Sequence, residues 1–153
     1  AEVGRDYAHG DTTITPSLMA HWSRYSPDSY TETGAGGANI NVAGDDVDVF
    51  ELGVGVDFSW LYQQASGGYL APEIHIGYRY DVAGDTVSTT SSFVGGGPDF
   101  KSEGFDPAQS TFDLGAGVTY YSNDNWELTA DYNFEYKSDY DAHSGFVRAA
   151  YKF

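Results

Sequence analysis

Phe146-Val147-Arg148-Ala149-Ala150-Tyr151-Lys152-Phe153 is the stretch whose alternation decides how the rest is read. Val147, Ala149, Tyr151 and Phe153 share one parity, and Arg148, Ala150 and Lys152 share the other. In water, a terminal strand with an aromatic-capped apolar face and a cationic face is a sheet edge that invites aggregation. In a transmembrane β-barrel the apolar side chains meet lipid, the charges meet a wet lumen, and closure removes the edge. The stretch therefore predicts a strand of an outer-membrane barrel.

Working back from it, five further segments alternate with period two. Trp126 to Lys137 is the clearest, with Trp126, Leu128, Ala130, Tyr132, Phe134 and Tyr136 on one parity and Glu127, Thr129, Asp131, Asn133, Glu135 and Lys137 on the other. A short polar turn, Ser122 to Asn125, separates it from Thr111 to Tyr121. Tyr69 to Tyr80, Asp48 to Trp60 and Thr13 to Trp22 follow the same rule. Two more segments, Ser29 to Val42 and Thr86 to Phe105, are rich in Gly, Ser and Thr and are read as strands that extend beyond the membrane or carry a bulge. The Gly95-Gly96-Gly97-Pro98 break marks a bend or loop in the second of them. The total is eight strands at roughly 19 residues each with their turns, an even count that suits a bacterial single-chain barrel.

Composition agrees with that expectation. The chain has 153 residues, enough for one domain spanning 1–153, and its 41% hydrophobic content includes 13 Tyr, 9 Phe and 3 Trp beside 19 Gly. No run approaches the ~18 apolar residues of a membrane helix, whereas a barrel dilutes every window with inward polar residues. A net charge of −16, from 23 acidic and 7 basic residues, makes nucleic acid a poor partner. The acidic excess suits solubility and a polar lumen, or external loops that meet divalent cations at a lipopolysaccharide surface. With no cysteine there is no disulfide, thiolate metal site or thiol catalysis. A start at Ala1-Glu2 fits a removed secretory peptide and equally a boundary of another kind.

The candidate chemistry is sparse. His9, His21, His75 and His143 show no metal-ligand spacing, and no nucleophile elbow, Walker loop or dinucleotide fingerprint is present. No cofactor or metal is expected, and His21 and His75 are read as polar-face residues bonded to carboxylates. Glu51, Asp57, Glu73, Arg79, Asp113, Glu127, Asp131, Glu135, Arg148 and Lys152 all fall on inward parity. In a lumen too narrow for a channel they form a charge network, in which the three cations offset the desolvation of the carboxylates. Asp141, His143 and Ser144, placed in a loop before the last strand, are the one arrangement open to a hydrolase reading.

In order and spacing, several elements together resemble the C-terminal translocator domain of autotransporters. They are Tyr30-Thr31-Glu32-Thr33-Gly34 with Ala38 to Val42, Gly53-Val54-Gly55-Val56, Pro72-Glu73, Gly77-Tyr78-Arg79-Tyr80, Gly115-Ala116-Gly117-Val118, Trp126-Glu127-Leu128 to Tyr132, and Tyr151-Lys152-Phe153. The resemblance implies a twelve-stranded barrel with a helix through its pore, carrying or anchoring a passenger at the cell surface. It also implies insertion by the outer-membrane assembly machinery, with Tyr151 and Phe153 as the assembly signal. The chain departs from the pattern at Arg148, where a glycine is usual, and in offering only eight strands and no linker helix.

The expectation is thus an all-β, antiparallel, transmembrane up-and-down barrel of about eight strands in the bacterial outer membrane, without enzymatic activity. It would be either the last eight strands of a translocator or a small related barrel. The expected function is to anchor or translocate a surface passenger. The alternatives are a stand-alone small barrel with a structural, adhesive or envelope-assembly role, and a barrel hydrolase. Expected partners are outer-membrane lipid and lipopolysaccharide, the assembly machinery and other envelope proteins. A soluble β-sandwich is the rival fold.

Overall fold

The computed structural model describes every residue except Ser66, Asp85 and Phe105. Its strands, in chain order, are β1 (Glu2–Gly4), β2 (Tyr7–His9), β3 (Thr12–Tyr25), β4 (Tyr30–Thr31), β5 (Ile40–Gly44), β6 (Val47–Trp60) and β7 (Tyr62–Gln63). They continue with β8 (Tyr69–Asp81), β9 (Ser88–Phe93), β10 (Phe100–Glu103), β11 (Ser110–Tyr121), β12 (Trp126–Lys137) and β13 (Tyr140–Tyr151). The described helical structure is one 3-10 turn at Gly36–Ala38, and no described helix is long and apolar enough to cross a membrane. Two compact units form: Ala1–Ala20, Glu51–Tyr80 and Ala108–Phe153 in one, His21–Phe50 and Asp81–Pro107 in the other.

A nine-stranded sheet runs in the order β1-β3-β6-β8-β11-β12-β13, with β2 paired to β3 and β7 to β8. Its best-defined part is β8-β11-β12-β13, where regular antiparallel register fixes what shares a face. Leu114 lies opposite Ile76 and Phe134, and Ala116 opposite Ile74 and Tyr132. One position on, Asp113 lies opposite Gly77 and Glu135, and Gly117 opposite Glu73 and Asp131. Because side chains alternate across a strand, the whole apolar set occupies one face and the charged set the other. None of the described hydrophobic side chains is buried; Leu114, Ile76, Leu128 and Tyr132 are each close to half exposed, and Val147 is 85% exposed.

The second unit carries a four-stranded sheet in the order β10-β9-β5-β4. Ile40 pairs with Phe93, Val42 with both Tyr30 and Ser91, and Ser91 with Phe100. Beside it, Gly95 comes so close to Gly37 that a Cβ on Gly95 would sit 2.7 Å from the Gly37 carbonyl oxygen. Glycine is therefore required there for contact rather than for flexibility.

These observations correct the expected barrel. Among the described residues the large sheet is open, with β1 and β13 at its ends and no pairing between them. The segments read as membrane-crossing strands at 29–42 and 86–105 do not join it. Their apolar alternation is weaker than that of the other segments, and they pair with each other through β5 and β9 instead; Phe105 lies outside the described residues. An N-terminal segment not anticipated as strand, β1 and β2, lies along β3. The last strand begins at Tyr140, so Asp141, His143 and Ser144 are strand rather than loop residues. The closed, eight-stranded transmembrane barrel is overturned, whether as translocator segment or stand-alone protein. The expected anchoring or translocation of a passenger, and the barrel hydrolase, presupposed that closure and fall with it.

In the second unit, Arg24 Nη2 donates to Asp46 Oδ2 at 2.7 Å. A hydrogen bond from Ser26, followed by that from Arg24, holds the Asp46 carboxyl below the usual aspartate range. The contact is complete above the ordinary carboxylate pKa and is lost as pH falls through the lowered midpoint. Carbon-detected NMR titration is expected to show this depressed midpoint, rising toward the ordinary range in Ser26→Ala and in Arg24→Ala.

Candidate functional site

Of the ten acidic and basic residues on inward parity, nine lie on β6, β8, β11, β12 and β13 and Lys152 follows β13, and their contacts fall in separate groups. At the centre of the first, Arg79 reaches diagonally from β8 to β11. Its Nε and Nη2 donate to the two oxygens of Asp113, each at 3.1 Å. Nη2 also donates to Glu135 on β12 at 2.7 Å, and Nη1 lies 3.6 Å from Glu51 on β6. Room for this reach comes from Gly53, where a Cβ would meet Arg79 Cγ at 3.0 Å. One guanidinium thus ties three further strands together, and its planar fork suits the bidentate grip on Asp113.

Glu127 on β12 anchors the second group. It accepts from Arg148 and lies 3.1 Å from Lys152 Nζ. Glu127 is 14% exposed, but its partners are 60% and 70% exposed. In the third, His75 Nδ1 lies 2.8 Å from Asp57 Oδ1, as anticipated for a polar-face histidine. Glu73 and Asp131 lean over Gly117 from either side: a Cβ there would lie 2.7 Å from Glu73 Oε1 and 2.9 Å from Asp131 Oδ2. No ion pair joins these two carboxylates to a cation among the described residues.

The hydrolase arrangement comes apart on geometry. His143 lies opposite Phe134 on the apolar face, whereas Ser144 lies opposite Asn133 on the charged face. Adjacent strand residues point to opposite sides, so His143 cannot serve as base to Ser144. His143 instead lies 2.6 Å from the Tyr132 hydroxyl and 3.5 Å from Asp141. No cluster of three or more His, Cys, Asp or Glu among the described residues is placed to hold a metal ion. Tyr151 ends β13 with its ring 5.2 Å from Trp126, and Phe153 lies beyond the strand, fully exposed. Parity located the charged residues but not their groups, because diagonal reach depends on register, which one strand's sequence does not reveal.

The groups differ in worth. Arg79→Met leaves Asp113, Glu51 and Glu135 without their shared cation and is expected to cost about 3–5 kcal/mol. Arg79→Lys, which loses the fork, recovers only part. Arg148→Ala, at an exposed pair, is expected to cost about 0–1 kcal/mol. Urea unfolding of the three variants in detergent micelles measures the order.

Comparison with known proteins follows the same lines. The family model described as "Autotransporter beta-domain" matches residues 1–133. Outer membrane protein B of Rickettsia prowazekii is 26% identical over 151 residues, 98% of this chain and 9% of that protein. The protein of the same name from Rickettsia typhi gives the same figures. That from Rickettsia conorii is 26% identical over 152 residues, 99% of this chain and 9% of its own length. The chain therefore spans about 9% of the length of these relatives. They give it a general bacterial outer-membrane or envelope context, and the family match is consistent with a non-enzymatic role. On the match across 1–133, the chain belongs to the autotransporter beta-domain family.

Proposed function

We propose that this chain is a lipid-contacting sheet of an outer-membrane protein, its apolar face against acyl chains and its charged face turned from them. The observation that carries the reading is the absence of any buried hydrophobic side chain among the described residues, while Ile74, Ile76, Phe112, Leu114, Leu128 and Tyr132 line one exposed face. Water would disfavour a continuous oily surface of that extent, and a lipid phase removes the cost. The printed names of the rickettsial relatives support the same setting.

Lipid also sets a demand on the sheet's edges. Unpaired backbone groups at β1 and β13 have no water to bond in an acyl environment, so other envelope polypeptide covers them. Acidic segments outside the strands meet lipopolysaccharide through divalent cations. Tyr151 and Phe153 present the terminal aromatics to the outer-membrane assembly machinery, and the charge network keeps neighbouring strands in register.

Single tryptophans at 114, 128 or 147, in a background without Trp22, Trp60 and Trp126, are expected to be quenched by brominated acyl chains. Tryptophans at 129 or 133 are not. Equal quenching on both faces, or none, refutes lipid contact. Deleting Phe153 is expected to lower recovery in outer-membrane fractions several-fold, and unchanged recovery removes the assembly role.

A further inference from the structure

The apolar face of β8, β11, β12 and β13 carries an acid and a base at one corner. Register aligns its side chains in rows across the four strands. One row is Ile76, Leu114, Phe134 and His143, and the next toward the β12–β13 hairpin is Tyr78, Phe112, Tyr136 and Asp141. Every other position of that parity on these strands is apolar, aromatic, glycine or serine. The two polar residues belong together. His143 Nε2 lies 3.5 Å from Asp141 Oδ2, Nδ1 lies 2.6 Å from the Tyr132 hydroxyl, and the imidazole and Phe134 ring centroids are 4.9 Å apart.

One row therefore makes opposite demands at its two ends. Ile76 and Leu114 are about half exposed and gain by leaving water. A carboxylate and an imidazole lose by entering an acyl layer, most at its centre and least at its edge. A lipid boundary parallel to the rows cannot meet both demands. A boundary that crosses them obliquely does, leaving β8 among acyl chains while β13 reaches the polar layer. Tyr132 suits the transition, because its ring shares the oily face and its hydroxyl meets His143; amphipathic aromatics collect where acyl chain gives way to headgroup. Phe112, exposed one row farther out, still favours lipid, so the corner lies at the boundary rather than beyond it in bulk water.

We infer that the lipid headgroup layer meets this face obliquely at the Tyr132–His143–Asp141 corner, with those side chains among headgroups and Ile76 among acyl chains. The inference rests on the lipid-contact reading and adds the level at which headgroups replace acyl chains. The test places one tryptophan by Ile76→Trp or Phe134→Trp, two positions of the same row that leave the polar corner intact. The full chain, without Trp22, Trp60 and Trp126, is reconstituted in phosphatidylcholine vesicles brominated near either the ester end or the methyl end of the acyl chain. The Phe134→Trp variant is expected to be quenched about twofold more by bromine near the ester end, and the Ile76→Trp variant about twofold more by bromine near the methyl end. Adding Asp141→Leu and His143→Leu to the Phe134→Trp variant is expected to move its preference toward the methyl end, with far-UV circular dichroism unchanged. Equal depths for the two tryptophans, or a preference that survives loss of the polar pair, overturns this inference and leaves lipid contact standing. No quenching of either by either lipid removes both.

Discussion

The large sheet lacks a dry interior of its own, and most of its features answer to that constraint. A soluble sheet hides one face against another layer. Here the described residues supply no such layer, so the favourable transfer of Leu114, Ile76, Leu128 and their neighbours out of water is deferred to the surroundings. Strand periodicity makes this deferral total: every second residue is committed to the same environment, and a slip of one position would exchange the two sets completely. Register is therefore guarded by energy on both faces at once.

On the charged face the guard is Arg79. A cation that touches three strands cannot keep its contacts if any of them slides, because Asp113 and Glu135 would then turn to the other side. The Glu127 group works at the opposite extreme, with exposed cations near the start of β12 and the end of β13. Glycine makes both the reach and the crowding workable: Gly53 lets Arg79 pass, and Gly117 accommodates the paired approach of Glu73 and Asp131.

What could be read beforehand follows from where period two is strict. Trp126 to Lys137 coincides with β12, and Thr111 to Tyr121 and Tyr69 to Tyr80 each fall one residue short of β11 and β8. The polarity of each face was equally plain, as was the turn at Gly95 to Pro98. Closure was not, because it depends on how many strands share one sheet. Segments 29–42 and 86–105 show less apolar alternation, and the pairing of Ile40 with Phe93 reveals that they serve a different sheet. The short β1 and β2 escaped for a related reason: three residues each are too few to display a period. Of the charged residues, parity identified the face, while the partners of Arg79 and the separation of His143 from Ser144 required the register itself.

The order of pairing has a kinetic side. From β8 onward each long strand lies next to the one before it in the large sheet, and β12 joins β13 across two residues, Ser138 and Asp139. Hairpins of that kind form within microseconds, and each later addition extends an existing template. The stretch between β8 and β11, which contains β9 and β10, lengthens only one closure, and loop entropy grows with the logarithm of length. Assembly can accordingly zip from the C-terminal hairpin, tolerating large insertions at one connection while leaving the order of the remaining steps unchanged.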